Sequence, residues 1–157
     1  MKDTIYKIKT GTIRLKTRED MARGRYVQLS NPSDAVGICR DILDEKDADQ
    51  EHLILLCVNV KNKLTSTKIL FSGCMDEITI DMRVVFRNTL LLGAANIIIA
   101  HNHPSGDPAP SSADKDLTKR VSAAGKLLGI RLLDHLVIVE ENYFSFRERQ
   151  PDFLNTD

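Results

Sequence analysis

Tryptophan is absent from this 157-residue chain, aromatic residues make up only 5%, and 22 Lys/Arg are matched by 22 Asp/Glu. That even balance argues against a general polyanion binder, whose surface would concentrate one sign of charge. Cys39, Cys57 and Cys74 are an odd number without paired spacing. They exclude a disulfide framework and read as buried thiols. The longest apolar stretch, LLLGAANIIIA, is broken by Gly93 and Asn96 and falls short of the ~20 residues that a bilayer span requires. The start MKDTIYKIKTG has no continuous apolar segment of the kind a signal peptide carries. The expectation is a cytoplasmic protein with no membrane partner. Chains of this size typically hide about 68–70% of their unfolded surface, enough for one compact domain.

The charge that is present is unevenly spread. Residues 1–25 hold eight Lys/Arg against Asp3, Glu19 and Asp20, so this arm carries about +5 and the remainder about −5. Tyr6, Ile8, Ile13 and Leu15 alternate with polar residues around Gly11, the pattern of a solvated edge hairpin. An acidic partner is the other use for such an arm. Binding of nucleic acid through it is expected to be weak.

Beyond the arm, helices and strands alternate. SNPSDAVGICRDILDE offers Asn31 as N-cap and Pro32 at the first helical position, with Val36, Cys39, Ile42 and Leu43 at helical spacing. HLILLCVNV reads as a buried strand that turns through KNK into LTSTKILF, forming a hairpin. DMRVVFRNTLLLG predicts a helix with Val84, Val85, Thr89 and Leu92 inward and Gly93 at its end. ANIIIA is a further buried strand. SSADKDLTKRVSAAGKLLG predicts a helix burying Leu117, Val121, Ala124 and Leu128, and IRLLDHLVIVE and YFSFRE finish as strands. The pattern is α/β with mixed strands.

The chemistry concentrates in HNHPSGDPAPSSAD. His101 stands at the carboxyl end of a strand, where open α/β sheets commonly display functional groups. If the backbone stays extended, His101 and His103 point the same way while Asn102 points elsewhere. Pro104 and Pro108 stiffen the exit, Gly106 permits a sharp turn, and a helix starting near Ser111 carries Asp114 in its first turn. Two imidazoles and a carboxylate suit zinc, and three protein ligands leave a fourth position for water, as in catalytic zinc sites. The plainer alternative is a polar loop in which Ser111 and Asp114 form only a capping box. Spacing alone leaves both open.

His101-x-His103-Pro104, Ser111 and Asp114 match each required position of the JAMM (MPN+) metalloprotease motif. AHNHPSGDPAPSSAD, LLGIRLLDHLVI and YFSFRE resemble the RadC-like branch of that superfamily, over about Asn31 to Arg149. The chain resembles a short single-domain form: a basic arm (1–30), the RadC-like MPN/JAMM domain (31–149) and a tail (150–157). The resemblance implies a curved mixed β-sheet flanked by helices, the cytidine-deaminase-like architecture. It also implies one zinc ion per chain on His101, His103 and Asp114, with Ser111 steadying an oxyanion and a glutamate acting as general base.

Glu45, Glu51 and Glu77 compete for that last role, and Glu51 is preferred because it directly precedes HLILLCV, where the family's first central strand begins. The helix that usually opens His-Pro-Arg-Glu in RadC-like sequences reads Asp81, Met82, Arg83, Val84 here. Asp134 and His135 are either an outer hydrogen-bonding pair around the metal ligands or a structural pair, the latter preferred because nothing in their spacing makes His135 a ligand. His52 reads as a partly buried strand residue. The implied activity is hydrolysis of a peptide or isopeptide bond in a peptide or protein substrate, with ubiquitin-like conjugates among the possible substrates. A DNA-repair-associated or DNA-processing module is the alternative.

Overall fold

The computed structural model describes residues 27–46, 49–73 and 80–155. The hairpin expected in the basic arm, Cys74 and Glu77 lie outside these residues. The described elements run β1 (Val27–Gln28), α1 (Pro32–Leu43), β2 (Glu51–Val58), β3 (Lys63–Gly73), α2 (Met82–Leu91), β4 (Asn96–Asn102), α3 (Ser112–Leu128), β5 (Arg131–Ile138), β6 (Tyr143–Ser145) and α4 (Phe146–Arg149). A 3₁₀ turn over Pro151–Phe153 follows. The six strands form one sheet in the order β1-β3-β2-β4-β5-β6. Among the described strands only β4 and β5 pair in parallel, and α3 is the helix that carries the chain between them. This is the mixed, curled α/β sheet that the resemblance implied.

Two layers of helix cover the sheet because its central strands alternate between two apolar faces. Ile54, Leu56, Val58, Ile98, Ala100, Leu136 and Ile138 pack against Ala35, Val36, Ile38, Cys39 and Ile42 of α1. Leu53, Leu55, Cys57, Ile97, Ile99 and Leu132 pack against Val85 and Phe86 of α2 and Leu117 and Val121 of α3. Most of these side chains are fully buried, and each contributes about 1.5–3 kcal/mol relative to exposure. Cys39 and Cys57 are buried free thiols, as expected, and burial pushes both thiol pKa values up.

Three elements differ from the pattern expected of the sequence. YFSFRE is strand only through Ser145, because the Ser145 hydroxyl accepts from Glu148 N at 3.2 Å and Asp134 accepts from Arg147 N at 3.0 Å, which winds Phe146–Arg149 into a helical turn. Leu128 is 49% exposed: the buried stripe of α3 runs through Asp114, Leu117, Thr118, Val121, Ser122 and Gly125 and has rotated past it. On α2, Phe86 and Asn88 join Val85 and Thr89 inside while Leu92 turns outward. Gly125 in that stripe has a packing reason, since a Cβ there would sit 2.3 Å from the Ile130 carbonyl oxygen.

Candidate metal centre

Strand β4 ends in His101 and Asn102, and His103 follows as the chain leaves the sheet. Leu53 pairs with His101 across the antiparallel β2/β4 ladder, so His101 projects onto the face covered by α3. Beyond it the chain turns back through Gly106 (φ 79°), whose N–H donates to the His103 carbonyl at 3.1 Å. The turn delivers the start of α3 above the strand end. There Ser111 and Asp114 form a capping box: the Ser111 hydroxyl accepts from Asp114 N at 3.1 Å, and Asp114 Oδ2 accepts from Ser111 N at 2.7 Å. The box orients the Asp114 carboxylate toward the histidines.

The three side chains converge. His101 Nε2 lies 3.0 Å from Asp114 Oδ1 and 3.0 Å from His103 Nε2, and His103 Nε2 lies 3.3 Å from Asp114 Oδ2. His101 and Asp114 are buried and His103 is half-buried. Burial alone would raise the Asp114 pKa, but its hydrogen bonds to His101 and His103 override this and hold the carboxyl well below its usual range. The His103 pKa is raised, chiefly by its hydrogen bond to Asp114 and in part by the charge of Glu51.

A metal ion fits this donor set. Nitrogen and oxygen ligands at about 2.0–2.2 Å from a tetrahedral first-row ion stand roughly 3.3 Å apart, close to the separations found. The ring edge of His103 supports the same conclusion: its Nδ1 faces the Asp107 carbonyl oxygen at 2.8 Å, an acceptor only, so a proton stays on Nδ1 and Nε2 is the nitrogen available to a metal ion. His101, His103 and Asp114 can therefore hold a metal ion.

The remaining expected residues divide. Glu51 opens β2, and continuing the Leu53–His101 register sets it opposite His103, with which it lines one cleft. Glu45 is exposed in the turn after α1, and Asp81 caps α2 while pairing with Arg83 at 2.7 Å. Asn102 does point away from the histidines, and its amide brackets Glu51: Nδ2 donates to Gln50 O and Oδ1 accepts from His52 N, each at 2.8 Å. His52 is buried at 3% exposure, more deeply than expected, with Nδ1 2.7 Å from Ser72 Oγ.

Asp134 and His135 part company. Asp134 accepts from Ser145 Oγ at 2.6 Å and from Arg147 N, so it fastens the α4 turn. His135, fully buried, places Nε2 2.9 Å from His101 Nδ1 and Nδ1 2.7 Å from Thr118 Oγ1. Burial holds its pKa well below the usual histidine value, aided by the charge of His101. Thr118 was not singled out from the sequence. Its signal was available, for it stands four residues after Asp114 on the same helix face.

The fold and this triad define a JAB-type α/β domain with a candidate metal centre. A RadC-like JAB domain profile matches residues 29–151, and the chain belongs to that family. It is 39% identical over 126 residues to a UPF0758 protein of Geobacillus sp. (strain WCH70), covering 80% of this chain and 54% of that protein. A UPF0758 protein of Clostridium perfringens is 43% identical over 124 residues (78% and 53%), and one of Shouchella clausii 40% over 121 (77% and 52%). The chain thus spans about half the length of the curated relatives it matches. Among the described residues, no helix is long and apolar enough to cross a membrane.

Proposed function

We propose that the domain is a zinc-dependent hydrolase of peptide or isopeptide bonds. The observation that carries this reading is the convergence of His101 Nε2, His103 Nε2 and the Asp114 carboxylate beside a cleft that Glu51 also lines. Two imidazoles and one carboxylate are a common catalytic zinc set, and zinc held by three protein ligands supplies a water that ionises near neutral pH. Glu51 is suited to receive that water's proton and return it to the departing amine. The Asn102 amide on either side of it fixes the backbone from which the carboxylate projects. The Ser111 hydroxyl accepts in the capping box and keeps its own hydrogen to offer a developing oxyanion.

Glu51→Gln tests the reading. It should leave about one zinc per chain by atomic emission while lowering turnover by roughly 10²–10⁴-fold on a substrate drawn from unstructured peptides and ubiquitin-like conjugates. Full turnover in the variant would remove Glu51 as the base; zinc far below stoichiometry in metal-replete parent protein would remove the centre itself. A DNA-associated role rests on the basic arm, since the rest of the chain is net acidic. Binding of that kind should weaken steeply with salt and vanish on deletion of residues 1–25.

A further inference from the structure

We propose that Thr118 and His135 are a positioning pair that keeps a proton on His101 Nδ1, so that Nε2 is the nitrogen that offers its lone pair to a metal ion. The inference deepens the metal-site reading above and rests on it for its function, although the tautomer can be measured without metal.

Donor counting carries the argument. Thr118 Oγ1 lies 2.6 Å from the Asp114 carbonyl oxygen, which can only accept, so the single hydroxyl hydrogen is committed there. The same oxygen lies 2.7 Å from His135 Nδ1, and with its hydrogen already used it can only accept from that nitrogen. His135 therefore carries its proton on Nδ1. Fully buried, with no carboxylate among the described residues hydrogen-bonded to it, the ring stays neutral and its Nε2 is bare. That bare nitrogen faces His101 Nδ1 at 2.9 Å and must accept from it, so Nδ1 keeps its proton and Nε2, 3.0 Å from Asp114 Oδ1, is the nitrogen that gives up its proton when a metal ion binds.

His103 reaches the same tautomer through the Asp107 carbonyl, the ordinary device for a ligating histidine. His101 has no carbonyl partner for Nδ1 and uses another imidazole, which could present either a proton or a lone pair. Thr118 makes that choice for His135 by accepting from its Nδ1. The relay ends on the backbone of Asp114, whose carboxylate is the third candidate ligand, so one helical turn supplies both a ligand and the orientation of another. Phe146 stacks on the far face of His135, with ring centroids 5.1 Å apart and planes 9° from parallel, and limits tilting of the ring.

The deciding experiment is ¹⁵N NMR of the imidazoles in the intact protein, metal-free and zinc-loaded, with chelator-competition measurement of zinc affinity. His135 should show the Nδ1–H pattern in both forms. His135→Phe, which keeps a ring against Phe146, should weaken zinc binding about 10–100-fold, the usual loss for a partner behind a metal ligand. Thr118→Val should weaken binding in the same direction and bring Nε2–H signal to His135, whereas Thr118→Ser, which retains the hydroxyl, should match the parent. Melting of the metal-free forms reports whether each variant is folded. A His135 protonated on Nε2, or a folded His135→Phe binding zinc within about twofold of the parent, would overturn the proposal. If the parent takes up no zinc, the hydrolase reading fails separately and the NMR still decides the tautomer.

Discussion

Helices α1 and α3 begin with the same device and put it to different uses. In α1, Asn31 accepts from Asp34 N at 3.2 Å, and Asp34 Oδ2 accepts from Asn31 N at 3.1 Å. In α3, Ser111 and Asp114 repeat this arrangement bond for bond. The difference lies in what the acid meets beyond its own turn. Asp34 also takes Ser30 N at 2.8 Å, so its contacts stay at the helix end. Asp114 is 3% exposed and meets His101 and His103 with its two oxygens. A capping box and a metal ligand are thus compatible roles for one aspartate, and the plainer and the sharper reading of Ser111-x-x-Asp114 describe one arrangement.

Breaking each box at its acid gives the largest contrast. Asp114→Asn should cost zinc affinity beyond the roughly 10–100-fold typical of partners behind a ligand, because it removes a ligand charge. Asp34→Asn should leave zinc binding at the parent level. Chelator competition on both variants measures this, and an Asp114→Asn protein that binds within about tenfold of the parent would show that the carboxylate serves the cap alone.

Breaking the boxes at the cap residue sharpens the same contrast. Ser111→Ala and Asn31→Ala should each lower stability by about 1 kcal/mol, read from thermal melts. Only Ser111→Ala should also slow turnover, by about 10²–10³-fold if the hydroxyl donates to the oxyanion. Equal rates in the two variants would reduce Ser111 to a cap.

Much of this was legible because the signals are local. Pro32 after Asn31, the run before Cys57 and the glycines at 93 and 129 mark element ends, and Gly93 and Gly129 do adopt positive φ. The convergence of His101, His103 and Asp114 followed from strand alternation and a turn at Gly106. His135 was harder for a definite reason. A register shift in the β4/β5 ladder pairs Ile97 with Leu132 and Ile98 with Asp134, leaving Leu133 over. Leu132 and His135 therefore share the α3 face although an odd number of positions separates them, and alternation counted along β5 places the histidine on the wrong side. Thr118 escaped notice because a threonine in a helix interior reads as filler until its partner across the core is known.

A third acid extends the comparison to the smallest predicted effect. Asp134 also serves a helix start, taking Arg147 N and the Ser145 hydroxyl at α4, but no histidine is among these partners. Burial dominates there and pushes its carboxyl pKa up to about 6 from an ordinary 3.8, against the lowering by Ser145 and Arg147. The pKa is higher in the folded than in the unfolded chain, so the protonated acid contributes stability that is complete below the unfolded value and is lost as pH rises through about 6. Asp114, with its pKa depressed, has the opposite sign: its contribution is present above the ordinary carboxylate range and is lost only in strong acid. In metal-free protein, moving from about pH 7.5 to about pH 4.5 should therefore stabilise the parent relative to Asp134→Asn by about 2 kcal/mol, whatever the constant offset between them. Urea melts of both proteins in chelator across that range give the slope. A flat difference, or one that grows toward neutral pH, would mean that Asp134 is wetter than its position under the α4 turn implies, with the Ser145 and Arg147 bonds then controlling its charge.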